Sequence, residues 1–266
     1  DPKWNIYNIP RNIWASTPSW TKTIANFYRS FLNAEVNEMK DIKHTEATKI
    51  IENTFRDVNI AYVNELAKSF DSIGLDIVDV IKWASNKPFA FMPHYPWCWV
   101  WWHCIPVDPY YLIKKAKESW FDHKFLLNAR DVNNSMPDYL IEKIILWLNN
   151  TGKPVKWTKI ALFGMSYKKD IWDMRETPSI EIRNKLNELW AELSIFDPFV
   201  SPYNKWKYLD YIKNNDVLVF ATNHSIFNEI ENNVWLLENK IIFDWRNFLN
   251  KELFLKNKIA YIWIWR

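Results

Sequence analysis

The chain has 266 residues, 48% of them hydrophobic, which is enough to pack one large domain or two ordinary ones. Its net charge of +3, with no run of like charges, gives nucleic acid and anionic membranes no footprint and leaves room for a small anionic ligand. No stretch reaches the roughly 18 consecutive apolar residues of a membrane span and no charged-then-apolar leader is seen, so a cytoplasmic protein is expected.

Residues 1–40 alternate short β-like runs with a helical pattern over 21–32, as at the end of an αβ domain. The opening DPKWNIYNIP reads as the interior of a domain, so a lost upstream part is expected. A long helix is predicted over 44–73, with Ile51, Phe55, Val58, Tyr62, Leu66 and Phe70 at spacings of three and four and Gly74 closing it. Further helices are predicted over 77–84, 112–119 and 137–149, separated by an aromatic and proline-rich loop over 88–111. After TGKPVKW the pattern changes: IALFG, LSIFD, VLVFA, KIIFD and IAYIW read as strands, with a helix over 179–189 between the first two. That alternation predicts an open α/β domain over 151–266, following a helical region over 41–150 and an N-terminal remnant over 1–40.

Glycine is anomalous. An ordinary chain carries about 7% glycine and few tryptophans, whereas this one has 3 Gly and 18 Trp. Together they make an ordinary glycine count. Trp120, Trp190 and Trp245 fall where glycine would turn or end the chain. The reading adopted is that most of these tryptophans are UGA codons read as glycine in the source organism. A genuinely Trp-rich protein would need bulky residues in many turns that ask for a positive φ.

Two cysteines, Cys98 and Cys104, are too few for a disulfide framework and wrongly spaced for a zinc knuckle, so at least one free thiol is expected. Taken alone, Cys104 beside His103 reads first as a small buried hydrophobe and only second as a nucleophile. Lys49 and Asn53, four apart, share one helix face opposite the apolar stripe, where a cation and an amide could hold an oxyanion or simply be solvated. Asp108, four after Cys104, is a candidate for activating water, or a turn residue before Pro109. Lys168, Arg175 and Arg246 suit a pyrophosphate, as two guanidinium forks and a point charge, or are surface cations.

Read with glycine at 97, 99, 101 and 102, residues 95–112 become YPGCGVGGHCIPVDPYYL. This closely resembles the nucleophile loop of the UDP-glucose/GDP-mannose dehydrogenase superfamily. KPF, YPG and GGHCIPVDP are most similar to the branch that oxidises UDP-N-acetylhexosamines, especially UDP-N-acetylglucosamine. HTEATKIIENTFRDVNIAYVNELA resembles the family's long central helix, ALFGMSYKKDIWDMRETPSIEI its K-x-D-x-R-E-(S/T)-P segment, and IIFDWRNFL its FDGRN turn. The resemblance implies NAD as the cofactor and makes residues 1–40 the remnant of the family's N-terminal NAD-binding domain, whose GxGxxG motif is not among these 266 residues.

The resemblance implies a helical catalytic and dimerisation domain followed by a Rossmann-like UDP-binding domain, with a homodimer through the long helix. It implies a thiohemiacetal and then a thioester on Cys104, because the second hydride transfer needs the aldehyde held covalently and a thiolate suits that step. It assigns Lys49 and Asn53 to the oxyanion and the water of the first oxidation, and Asp108 to hydrolytic water. Lys168, Arg246 and Tyr167 are placed at the UDP-sugar, Arg175 towards NAD. The position of Trp101, as glycine, would let the backbone approach the hexose; as a real indole it would fill that space. His224, in ATNHSIF, matches a family signature and receives no role. GCGVGG, the reading of 97–102, mimics a dinucleotide fingerprint but has no strand before it and no helix directly after it. The competing expectation is a non-catalytic module that binds nucleotide sugars and dimerises or, with genuine tryptophans, an aromatic carbohydrate binder.

Overall fold

The computed structural model describes residues 4–98, 104–205 and 207–263. Its contacts divide into two compact units, 1–55 and 56–266. In the first, β1 (Arg11–Ile13), α1 (Pro18–Arg29) and β2 (Val36–Glu38) form a parallel βαβ unit around Ala25, Leu32 and Val36. Helix α1 starts three residues before the expected point because Thr17 caps it, accepting the Trp20 N–H at 3.2 Å, and Pro18 fits its first turn.

The long helix, α2 (Ile42–Ser72), begins in the first unit and continues into the second, and Gly74 follows it at a φ of 74°. Its faces differ from the expectation. Ile51, Phe55 and Tyr62 of the apolar stripe are exposed, and only Leu66 and Phe70 at its far end pack against the core. The buried face instead carries Asn53, Asp57, Ile60, Ala61, Asn64 and Ala67. Asp57 and Asn64 are paired there: Arg130 Nη1 donates to Asp57 Oδ1 at 2.5 Å, Asn133 donates to Asp57 Oδ1 at 2.9 Å, and Asn64 donates to Asn133 at 2.9 Å.

Four helices follow: α3 (Ile77–Ala84), α4 (Asp108–Lys117), α5 (Lys124–Asn134) and α6 (Met136–Asn150). Helix α4 starts four residues before the expected 112, at Asp108 and Pro109. Helix α5 had no sequence signal, because its buried face reads Leu126, Ala129, Arg130 and Asn133 and so lacks an apolar period.

The second half is a five-stranded parallel sheet of β3 (Lys159–Phe163), β4 (Glu192–Phe196), β5 (Val217–Phe220), β6 (Ile241–Asp244) and β7 (Ala260–Trp263), in the order β4-β3-β5-β6-β7. Alternate residues of the strands feed two cores. Ile160, Leu162, Val219 and Phe243 meet α6 and α7 (Pro178–Glu188) on one face. Phe163, Leu218, Phe220 and Ile242 meet α8 (Tyr208–Asn214), a 3-10 segment (Ser225–Leu237) and α9 (Lys251–Lys256) on the other. Burial on both faces explains why these strands are nearly continuous apolar runs. The chain steps outward from β3 to β4 and then back across to β5, so the topological switch point lies between the carboxyl ends of β3 and β5. Gly164 stands there at a φ of 90°, and a Cβ on it would come within 2.5 Å of the Thr222 Cβ. The fold is therefore the expected α/β class, a helical domain followed by a doubly wound sheet.

Among the described residues, three tryptophans have left-handed backbones: Trp120 (φ 61°), Trp157 (65°) and Trp190 (59°), all exposed. A bulky residue there costs about 1–2 kcal/mol that glycine does not. Trp245 differs from the expectation: it is not in the left-handed region, and its side chain is 1% exposed with the indole Nε1 making no hydrogen bond.

Candidate active site

Cys104 is exposed and Cys98 is buried, where desolvation pushes the thiol well above its ordinary pKa and leaves it unreactive. The turn after Cys104 is set by its own carbonyl, which accepts the Val107 N–H at 3.1 Å and the Asp108 N–H at 2.9 Å. Asp108, the first residue of α4, is thereby fixed one turn beyond the thiol. Both described ends of the 97–105 loop are tied to α2: Trp97 donates its backbone N–H to Asn64 Oδ1 at 2.7 Å, and Ile105 packs on Ile60. Trp101 lies outside the described residues.

Asn53 is 1% exposed, while Lys49 is exposed and 3.8 Å from Glu52. Both belong to the first unit.

The loops at the carboxyl edge of the sheet carry the other candidates. Two buried aspartates at strand ends shape these loops by accepting backbone N–H groups. Asp197, after β4, accepts from Met165 (2.7 Å), Ser166 (2.9 Å), Phe199 (2.8 Å) and Val200 (3.1 Å). Burial alone would raise its carboxyl, but His224 and the N–H groups of Ser166 and Phe199 together hold it below the ordinary value. Asp244, at the end of β6, accepts from Arg246 (2.9 Å), Phe248 (2.9 Å), Leu249 (3.0 Å) and the Tyr261 hydroxyl (2.6 Å), while burial pushes its carboxyl up.

That turn aims Arg246 at the switch point. Its Nε donates to the Ala221 carbonyl at 2.9 Å, Nη2 reaches the Tyr167 carbonyl at 3.4 Å, and the guanidinium lies 4.0 Å from the centre of the Trp97 ring. Burial lowers its pKa, yet a guanidinium stays charged at neutral pH. Tyr167 and Lys168 are half-buried on the loop after β3. Arg246, the Tyr167–Lys168 loop and the entry to the cysteine loop thus meet in one place. Arg175 lies elsewhere, exposed and forked onto Asp173 at 2.7–3.1 Å, on the rim of a hollow of about 840 Å³ that Trp172, Ile180 and Phe199 also line.

Asp197, Asp244 and Asn64 were missed by sequence reasoning. The signal for the aspartates was their position at the carboxyl end of an apolar run, in IFDP and IFDW.

An open doubly wound sheet with cations gathered at its switch point, preceded by a helical unit with an exposed thiol, defines a nucleotide-binding domain joined to a helical partner domain. The sequence matches the central domain of the UDP-glucose/GDP-mannose dehydrogenase family over residues 43–135 and the family's UDP binding domain over residues 161–251, and the chain belongs to that family. It is 35% identical over 236 residues to the UDP-N-acetyl-D-mannosamine dehydrogenase of Methanococcus vannielii, a match spanning 86% of this chain and 53% of that protein. It is 34% identical over 201 residues to the UDP-N-acetyl-D-glucosamine 6-dehydrogenase of Pseudomonas aeruginosa, spanning 76% of this chain and 47% of the relative. The structure of a UDP-D-ManNAc dehydrogenase from Pyrococcus horikoshii superposes with a TM-score of 0.88 at 26% identity, covering 98% of this chain and 61% of that one. The chain thus spans about half the length of the curated relatives it matches.

Proposed function

We propose that the protein oxidises the C6 alcohol of a UDP-N-acetylhexosamine to the uronic acid, using two NAD⁺ and one water, as a step towards surface polysaccharide in the cytoplasm. The observation that carries this reading is the meeting of Arg246, the Tyr167–Lys168 loop and the entry to the Cys104 loop at the switch point. A nucleotide sugar whose diphosphate lies against Arg246 and Lys168 would direct its hexose towards the thiol.

The dinucleotide supplies the hydride acceptor in each oxidation, and Arg175, on an apolar-lined hollow large enough for part of a cofactor, suits one of its phosphates. Lys49 and Asn53 stabilise the oxyanion as the alcohol loses its proton and hydride. The Cys104 thiolate then adds to the aldehyde carbon, giving a thiohemiacetal. Loss of its hydride and its hydroxyl proton leaves a thioester, which water activated by Asp108 cleaves to the carboxylate and the free thiol. The parallel βαβ unit of residues 11–38 supports reading 1–40 as the end of the NAD-binding domain. Ile51, Phe55 and Tyr62, exposed on one long helix, support a homodimer through α2.

UDP-N-acetylglucosamine is the favoured substrate, on the motifs of the cysteine loop; UDP-N-acetylmannosamine is the close rival and UDP-glucose the distant one. The test is NADH formation from each of the three by a protein of the relatives' full length. The favoured sugar should turn over fastest, and turnover of UDP-glucose alone would overturn the assignment.

A further inference from the structure

His224 has no part in the reaction above, yet it occupies the most constrained position at the switch point. It is fully buried directly beyond β5, with the rings of Phe199 and Phe227 5.2 and 5.4 Å away. Both of its ring nitrogens are used. Nδ1 receives the backbone N–H of Asp170 at 2.9 Å. A backbone N–H can only donate, so Nδ1 is the acceptor and Nε2 carries the proton. Nε2 lies 3.2 Å from Asp197 Oδ2 and 3.1 Å from Ser166 Oγ, so the imidazole links the carboxylate at the end of β4 to the loop after β3.

That loop is held at both of its ends. The N–H groups of Met165 and Ser166 go to Asp197, the Ser166 carbonyl accepts from Thr222 Oγ1 at 2.7 Å, and Ser166 Oγ donates to the Lys168 carbonyl at 2.9 Å. Asp170, at a φ of 57°, turns its N–H into His224 and its carboxylate onto the N–H and hydroxyl of Ser225, at 2.8 and 2.6 Å. Tyr167, Lys168 and Lys169 lie between the anchored Ser166 and Asp170. A buried histidine serving only the core would not need one partner on each of two chain segments; this one fixes the start and the end of the loop at once.

We propose that His224 is a positioning residue for the nucleotide-sugar site, a neutral imidazole braced on Asp197 that holds the 165–170 loop so that Tyr167 and Lys168 face the ligand. The inference rests on the UDP-sugar reading given above. Two measurements on this chain test it: calorimetric titration with UDP, and amide hydrogen exchange of peptides spanning 164–171 without ligand. In His224→Ala the Asp170 N–H loses its acceptor, so exchange over 164–171 should accelerate and UDP affinity should fall by about tenfold or more. In His224→Asn the amide oxygen can take the place of Nδ1, so both exchange protection and affinity should largely return, although as much ring packing is lost. Unchanged exchange and affinity in His224→Ala would overturn the proposal. So would equal losses in the Ala and Asn variants that track their melting temperatures, since a purely structural role predicts that. If the unsubstituted chain takes no UDP, the UDP-sugar reading falls, while faster exchange in the Ala variant, reversed by Asn, still upholds the brace itself.

Discussion

Cys104 and Cys98 lie six residues apart and differ in exposure, which gives Cys104 access to a substrate while burial keeps the Cys98 thiol protonated. Cys104→Ala should therefore abolish uronic acid formation while leaving UDP binding within about twofold, because the nucleotide groups lie on other loops. Retained uronic acid in that variant would remove the thioester route. Asp197 gives a pH test with a defined sign. Its folded pKa lies below the unfolded value of about 3.9, so its contribution is fully present above that value and is lost as pH falls through the folded pKa. Urea titrations should find Asp197→Asn less stable by about 1–3 kcal/mol at pH 7, with the gap closing below about pH 3. The tryptophans make a third test. Trp120 is 98% exposed with a left-handed backbone, so Trp120→Gly removes strain and almost no packing. It should raise stability by about 1 kcal/mol. Under the recoding account, peptide mass spectrometry of the native protein across 94–112 finds glycine at 97, 99, 101 and 102. Tryptophan there would favour the non-catalytic reading. Glycine at 97 would also remove the ring beneath Arg246 and open that guanidinium to a phosphate.

At the scale of elements, α2 is ordered by polar pairing as much as by apolar burial. Asp57 and Arg130 are both buried, so Asp57→Ala leaves the guanidinium without its carboxylate and should cost about 3–5 kcal/mol, read as a lower urea midpoint. This pairing also marks where the sequence was silent. The five strands were legible because a parallel sheet covered on both faces needs unbroken apolar runs, and α3 was placed at its observed bounds because Asp76 caps it and its apolar face is clean. Helix α5 was not legible, since its inward positions include Arg130 and Asn133, and the true inward face of α2 was hidden because Asp57 and Asn64 pair with partners distant in sequence. The site shows the same division. Cys104, Lys168 and Arg246 could be named from local motifs, whereas Asp197 and Asp244 act through backbone N–H groups, which no side-chain pattern encodes.

For the whole molecule, the sequence matches the central and UDP binding domains of the family, and the sheet's switch point gathers Arg246 and the Tyr167–Lys168 loop. No described helix is long and apolar enough to cross a membrane. The proposed reaction couples the two halves: a thiol presented by the helical domain and cations presented by the sheet would serve one substrate through two successive oxidations. The measurement that tests this most directly is the number of NADH formed per UDP-N-acetylglucosamine consumed by a protein of the relatives' full length. The account predicts about two per sugar with the uronic acid as product, and no uronic acid from Cys104→Ala. About one NADH per sugar with free aldehyde as the product, or no NADH from either N-acetylhexosamine, would contradict it.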